Sequence, residues 1–85
     1  MNPYEIIKHP YITEKTIRLM EKNNSLQFVT KIDANKRQIK EAIEKIFEVK
    51  VEKVNTRICK KGKIATVKFK PEYKAEDIAT RLGAL

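Results

Sequence analysis

Few side chains in this sequence are of the types that make or break bonds. His9 is the one histidine and Cys59 the one cysteine. A structural zinc site or a Cys-His pair would therefore need unusual ligands or geometry. His9, between Lys8 and Pro10, suits a loop residue better than a ligand, and Cys59 reads as a small strand residue. Glu5, Glu41 and Glu44 are the carboxylates nearest to an acid–base pair, but Glu41 and Glu44 fall on the solvated face of a helix. The glycines are Gly62 and Gly83, too few and too far apart for a phosphate-cradling loop. No catalytic residue, metal ligand or cofactor is expected, and the chain reads as a non-enzyme. A lone cysteine also leaves no internal disulfide, which fits a reducing cytosol.

The chemistry that remains is charge. Nineteen Lys and Arg stand against eleven Asp and Glu, a net +8. Residues 57–74 alone carry +6, from Arg57, Lys60, Lys61, Lys63, Lys68, Lys70 and Lys74 against Glu72. A focused cationic stretch suits a polyanion, nucleic acid first; the other reading is a lysine-rich edge that keeps a sheet soluble. Lysine dominates arginine, and hydrated point charges suit a phosphate backbone more than base edges. The stretch from Lys61 to Phe69 invites comparison with the RNA-recognition motif. That motif stacks bases on aromatic rings, and here Lys63 and Ala65 stand in those places. Tyr4, Tyr11 and Tyr73 could stack on nucleotides, though packing at element ends suits them better.

Eighty-five residues make one domain, over residues 1–85. Apolar runs no longer than two residues leave no membrane-spanning helix and no signal-peptide core. An edge strand is expected at Tyr4 to Lys8. Thr13 is placed to cap a first helix whose stripe is Ile17 and Met20, with Asn23 and Asn24 closing it. Residues 25–32 alternate as a half-buried strand, with Leu26, Phe28 and Ile32 on one face. Asn35 and Gln38 form a capping box before Ile39, Ala42, Ile43, Ile46 and Phe47, with Glu41 and Lys45 spaced for an ion pair. The phase of the next strand flips near Glu52 and Lys53, which predicts a bulge; beyond it Val54, Thr56 and Ile58 face inward, Asn55 and Arg57 outward. Lys60, Lys61 and Gly62 read as a hairpin turn, followed by an inward Ala65, Val67 and Phe69. A last helix spans about Lys74 to Leu82 and ends at Gly83. The order strand-helix-strand-helix-strand-strand-helix, with an antiparallel last pair, gives the α+β class.

Lys8 through Lys15 (KHPYITEK), then Asn35 through Phe47, then Val49 through Thr56 (VKVEKVNT) together resemble the universal large-subunit ribosomal protein twenty-three family. The similarity covers essentially the whole chain. Its ending, with Pro71-Glu72-Tyr73 and Arg81-Leu82-Gly83, resembles the archaeal and eukaryotic branch. The resemblance implies a three-layer fold, a four-stranded antiparallel sheet with helices packed on its faces. It also implies binding to large-subunit rRNA at the rim of the polypeptide exit tunnel, beside large-subunit protein twenty-nine, and a platform for nascent-chain factors such as the signal recognition particle. In bacterial members the acidic residue matching Glu14 docks the trigger-factor chaperone, which makes Glu14 the factor-docking candidate. Bacterial relatives carry a long basic hairpin loop where about Lys60 to Lys63 joins the strands here, and the long basic amino-terminal extension of eukaryotic relatives is absent. An archaeal-type protein is expected.

With the +6 segment, this gives Lys8, Lys15, Asn55, Arg57, Lys60, Lys61, Lys63 and Lys68 as the expected RNA contacts. Lysines would neutralise phosphates while Asn55 and Arg57 fix orientation. The expected setting is the cytoplasm, within the large ribosomal subunit, with neither a membrane nor a small-molecule substrate as partner. The alternative is a protein–protein interaction module with a solubilising basic surface, using the helix around Glu14 and the exposed face of residues 36–48.

Overall fold

A computed structural model describes residues 2–82; the expected helix end at Gly83 lies outside them. The chain opens differently from the expected strand. Asn2 accepts the amide of Tyr4 through its side chain, and Pro3 in the first turn suits a helix start, so Pro3–Ile6 forms a single helical turn, α1. Strand β1 follows at Ile7–Pro10.

Helix α2 (Glu14–Asn23) begins where Thr13 caps it. The box is closed by Thr16, whose hydroxyl lies 2.7 Å from the Thr13 amide. Asn24 ends it in the left-handed conformation, φ 54°. Helix α3 (Lys36–Phe47) has the expected Asn35–Gln38 capping box, with both hydrogen bonds formed at 2.8 and 3.0 Å. Its Glu41 pairs with Arg37 at 3.4 Å rather than with Lys45. Glu44 is not a solvated carboxylate either: it is half-buried and accepts the Val51 amide at 2.9 Å, holding the start of the next strand.

Strands β2 (Ser25–Thr30), β3 (Val51–Cys59) and β4 (Gly62–Phe69) join β1 in a four-stranded sheet of order β1-β2-β4-β3. Each neighbouring pair is antiparallel. Helix α4 (Ala75–Arg81) closes the chain. The α+β class, the antiparallel four-stranded sheet and, from β1 onward, the helix–strand order are those expected.

Strand β2 is buried at every position, not half-buried, because it lies between two neighbours and is covered on both sides. It stops at Thr30, so Ile32 stands in a turn, 57% exposed. The expected bulge is present, as a register shift between Val51 and Lys53. The core joins Leu26, Phe28, Val54, Val67 and Phe69 of the sheet to Ile39, Ile43 and Phe47 of α3, Met20 of α2 and Ile78 of α4. Phe28 and Phe47 meet with ring centroids 6.1 Å apart. Val54 is inward as expected, but Ile58, on the same side of β3, is 63% exposed. It lies next to the hairpin tip.

Candidate nucleic-acid interface

Strand alternation and register decide which side chains share a surface. Across β2, β4 and β3, Ser25, Lys68 and Lys53 form one row, Gln27, Thr66 and Asn55 the next, and Val29, Ile64 and Arg57 a third. These rows lie on the face opposite the core residues Leu26, Val67 and Val54. The middle row is built around a buried amide: Gln27 Nε2 donates to Thr66 Oγ1 at 2.8 Å. Val29 and Ile64 are fully covered, whereas Lys53, Asn55, Arg57 and Lys68 are exposed.

Three of the expected contact residues, Asn55, Arg57 and Lys68, therefore meet on one sheet face. Asn55 and Arg57 sit two residues apart on one strand, about 7 Å along it, as directed donors on a rigid scaffold. Lys53 joins them and was missed by sequence reasoning. Its signal was present, since 53, 55 and 57 share a parity once the phase change precedes Lys53. The Lys53–Lys68 pairing puts like charges directly opposite each other, which is destabilising in a sheet by about 0.2–1 kcal/mol. Glu52 relieves part of this, 3.3 Å from the Lys68 ammonium with both side chains about half exposed. A bound anion would relieve the rest.

Lys60 and Lys61 form the turn between β3 and β4, both exposed. Gly62 ends the turn at φ +119°, the positive φ expected of it. Lys61 Nζ lies 5.3 Å from the centroid of the Tyr11 ring. Lys63 is turned to other work: it faces the side of Thr30 and Ile58, and its ammonium donates to the Ala34 carbonyl at 2.7 Å. Lys8 is exposed on β1 and Lys15 is exposed in the first turn of α2, apart from the sheet array. Glu14, also in that first turn, is paired with Arg18 at 3.2 Å. With 84% of the Glu14 side chain exposed, the pair adds little stability and leaves the carboxylate open to a partner.

His9 is opposite Val29 and Cys59 opposite Gly62. Among the described residues, no three His, Cys, Asp or Glu side chains gather as a metal site. A cleft lined by Glu41, Glu44, Glu48, Lys50 and Tyr73 mixes both signs of charge and holds no convergent set of donors. No helix among the described residues is long and apolar enough to cross a membrane. What this surface offers is fixed donors and paired cations, the equipment for binding an anionic polymer.

The sequence matches the family described as Ribosomal protein L23 over residues 5–78. It is 45% identical over 84 residues to the large ribosomal subunit protein uL23 of Methanothermobacter thermautotrophicus, covering 98% of both chains. It is 48% identical over 84 residues to the protein of the same name in Methanobrevibacter smithii, again covering 98% of both. Full-length identity at this level, with matching that runs from the first helical turn to the last helix, leaves no doubt about kinship: the chain belongs to the ribosomal protein L23 family, in its archaeal type.

Proposed function

We propose that this chain is a structural, non-enzymatic component of the large ribosomal subunit that binds large-subunit rRNA through one sheet face and the adjoining turn. It acts as one domain over residues 1–85 and works in the cytoplasm. The observation that carries the reading is the cationic array, in which Lys53, Asn55, Arg57 and Lys68 share a rigid face. Lys60 and Lys61 extend it at the turn, and Lys8 and Lys15 add contacts at its flank. Lys63 contributes charge from its site beside Ala34. Asn55 and Arg57 fix orientation, and the lysines neutralise phosphates. Full-length likeness to proteins named for the large ribosomal subunit supports the choice of RNA.

The family resemblance supports a finer reading. The chain lies at the rim of the polypeptide exit tunnel, beside large-subunit protein twenty-nine, and offers a docking surface to nascent-chain factors such as the signal recognition particle. Glu14, exposed at the start of α2, is the factor-docking residue of this reading.

Neutralising about six phosphates gives a slope of about −5 in log affinity against log salt. Binding to large-subunit rRNA across a salt series measures it; a flat response overturns the electrostatic mechanism. Replacing Lys60 and Lys61 together by Ala weakens binding without unfolding the domain, since neither side chain is buried. Unchanged affinity would move the interface elsewhere.

A further inference from the structure

A lysine that meets a phosphate must first be immobilised, and its four-carbon stem has much rotational freedom to lose. In the two-residue turn between β3 and β4, one of the two lysines is already held. Tyr11 continues the line of β1: its amide donates to the Gln27 carbonyl at 2.9 Å, which aligns it beside β2. Its ring then meets the Lys61 ammonium at 5.3 Å. The contact ties the turn of one outer strand to the segment leaving the other, across the width of the sheet. Tyr11 is half-buried while Lys61 is exposed. Lys61 has no carboxylate partner among the described residues. An aromatic face attracts an ammonium without neutralising it, and it occupies one side of the group only. The charge is thus held in place and stays available.

We infer that Tyr11 is a positioning residue for RNA binding, holding the Lys61 ammonium where a phosphate meets it. The inference rests on the rRNA-binding reading above and fails separately from it. The experiment measures binding of the full chain to in-vitro-transcribed large-subunit rRNA, with four variants beside the unaltered protein. Tyr11→Leu weakens binding by about two- to fivefold, the equilibrium equivalent of one exposed cation–π contact. Tyr11→Phe, which keeps the ring, restores the affinity. In the Lys61→Ala background, adding Tyr11→Leu makes no further difference, because the ring acts through that lysine.

Equal losses with and without Lys61 would give Tyr11 a merely structural role and overturn the inference. Tighter binding by Tyr11→Leu would also overturn it, since the ring would then be sequestering the charge. A flat salt response of the unaltered protein overturns the RNA reading and the positioning role together. A steep response with unaltered Tyr11→Leu affinity overturns the positioning role alone. Should Tyr11→Leu not fold, the proton spectrum of the unaltered protein decides. The Cε protons of Lys61 are shielded by the ring relative to those of Lys60, and coincident shifts would overturn the contact.

Discussion

Gly62 accepts a conformation that L side chains rarely adopt, and it does so where β3 turns back as β4. A Cβ placed there would meet the Thr30 carbonyl oxygen at 3.8 Å, an ordinary contact, so the obstacle to substitution is the backbone and not space. Gly62→Ala therefore costs about 1–2 kcal/mol, read by thermal or urea unfolding, and disturbs the lysine turn before it disturbs the core. The same scale separates Lys63 from its neighbours. Lys60 and Lys61 are exposed, whereas the Lys63 amine is fastened to a carbonyl 29 residues away. Lys63→Ala loses a part-buried charged hydrogen bond and lowers the melting temperature more than the paired change at 60 and 61, which loses one exposed cation–π contact. Composition alone makes these three lysines equivalent. Their difference comes from a contact between distant parts of the chain, which no local pattern encodes.

At the scale of elements, Asn24 does more than end α2. Its amide nitrogen donates to the Tyr73 carbonyl at 2.8 Å and the Phe69 carbonyl at 3.2 Å, and its oxygen accepts the Ala75 amide at 2.7 Å. One side chain thus joins the end of α2 to the end of β4 and the start of α4, a helix whose N-cap, Lys74, makes no side-chain capping bond. Asn24→Ala loses these bonds and the left-handed preference together, at about 2–3 kcal/mol. Asn24→Gly keeps the backbone freedom and still loses the bonds, so most of the destabilisation persists. Amide exchange in α4 would show the loosening residue by residue, and unchanged protection there would refute the tie.

Helix starts were legible because capping is local: Thr13 and Asn35 each act on the next turn, as the spacing indicates. The bulge was legible because a change of phase is itself local. The opening turn α1 was not, since Pro3 and Asn2 act against a short stretch that also suits a strand. Nor was the full burial of β2, which depends on β1 and β4 lying at its sides. Of the site, Asn55, Arg57 and Lys68 followed from alternation, whereas the convergence of Tyr11 and Lys61 required the folded sheet.

For the whole molecule, the arrangement separates the two surfaces proposed above. The donors and cations of the sheet face lie on β3 and β4, while Glu14 lies on α2, whose Met20 belongs to the core. Glu14→Ala is expected to leave rRNA affinity unchanged and to reduce capture of nascent-chain factors by assembled subunits. Lys53→Ala with Arg57→Ala is expected to do the reverse. Affinity and co-sedimentation measured on the same preparations distinguish them, and parallel losses in both assays would refute the separation.

The facing Lys53 and Lys68 carry one more implication. Repulsion kept within a folded surface is relieved when a counter-charge arrives, and whatever binds only the folded form stabilises it by mass action. A copy that has found its place in a particle is thus harder to unfold than one made in excess. If rRNA is that counter-charge, surplus copies are expected to open more often and to be degraded first, which limited proteolysis of the free and the RNA-bound protein would measure.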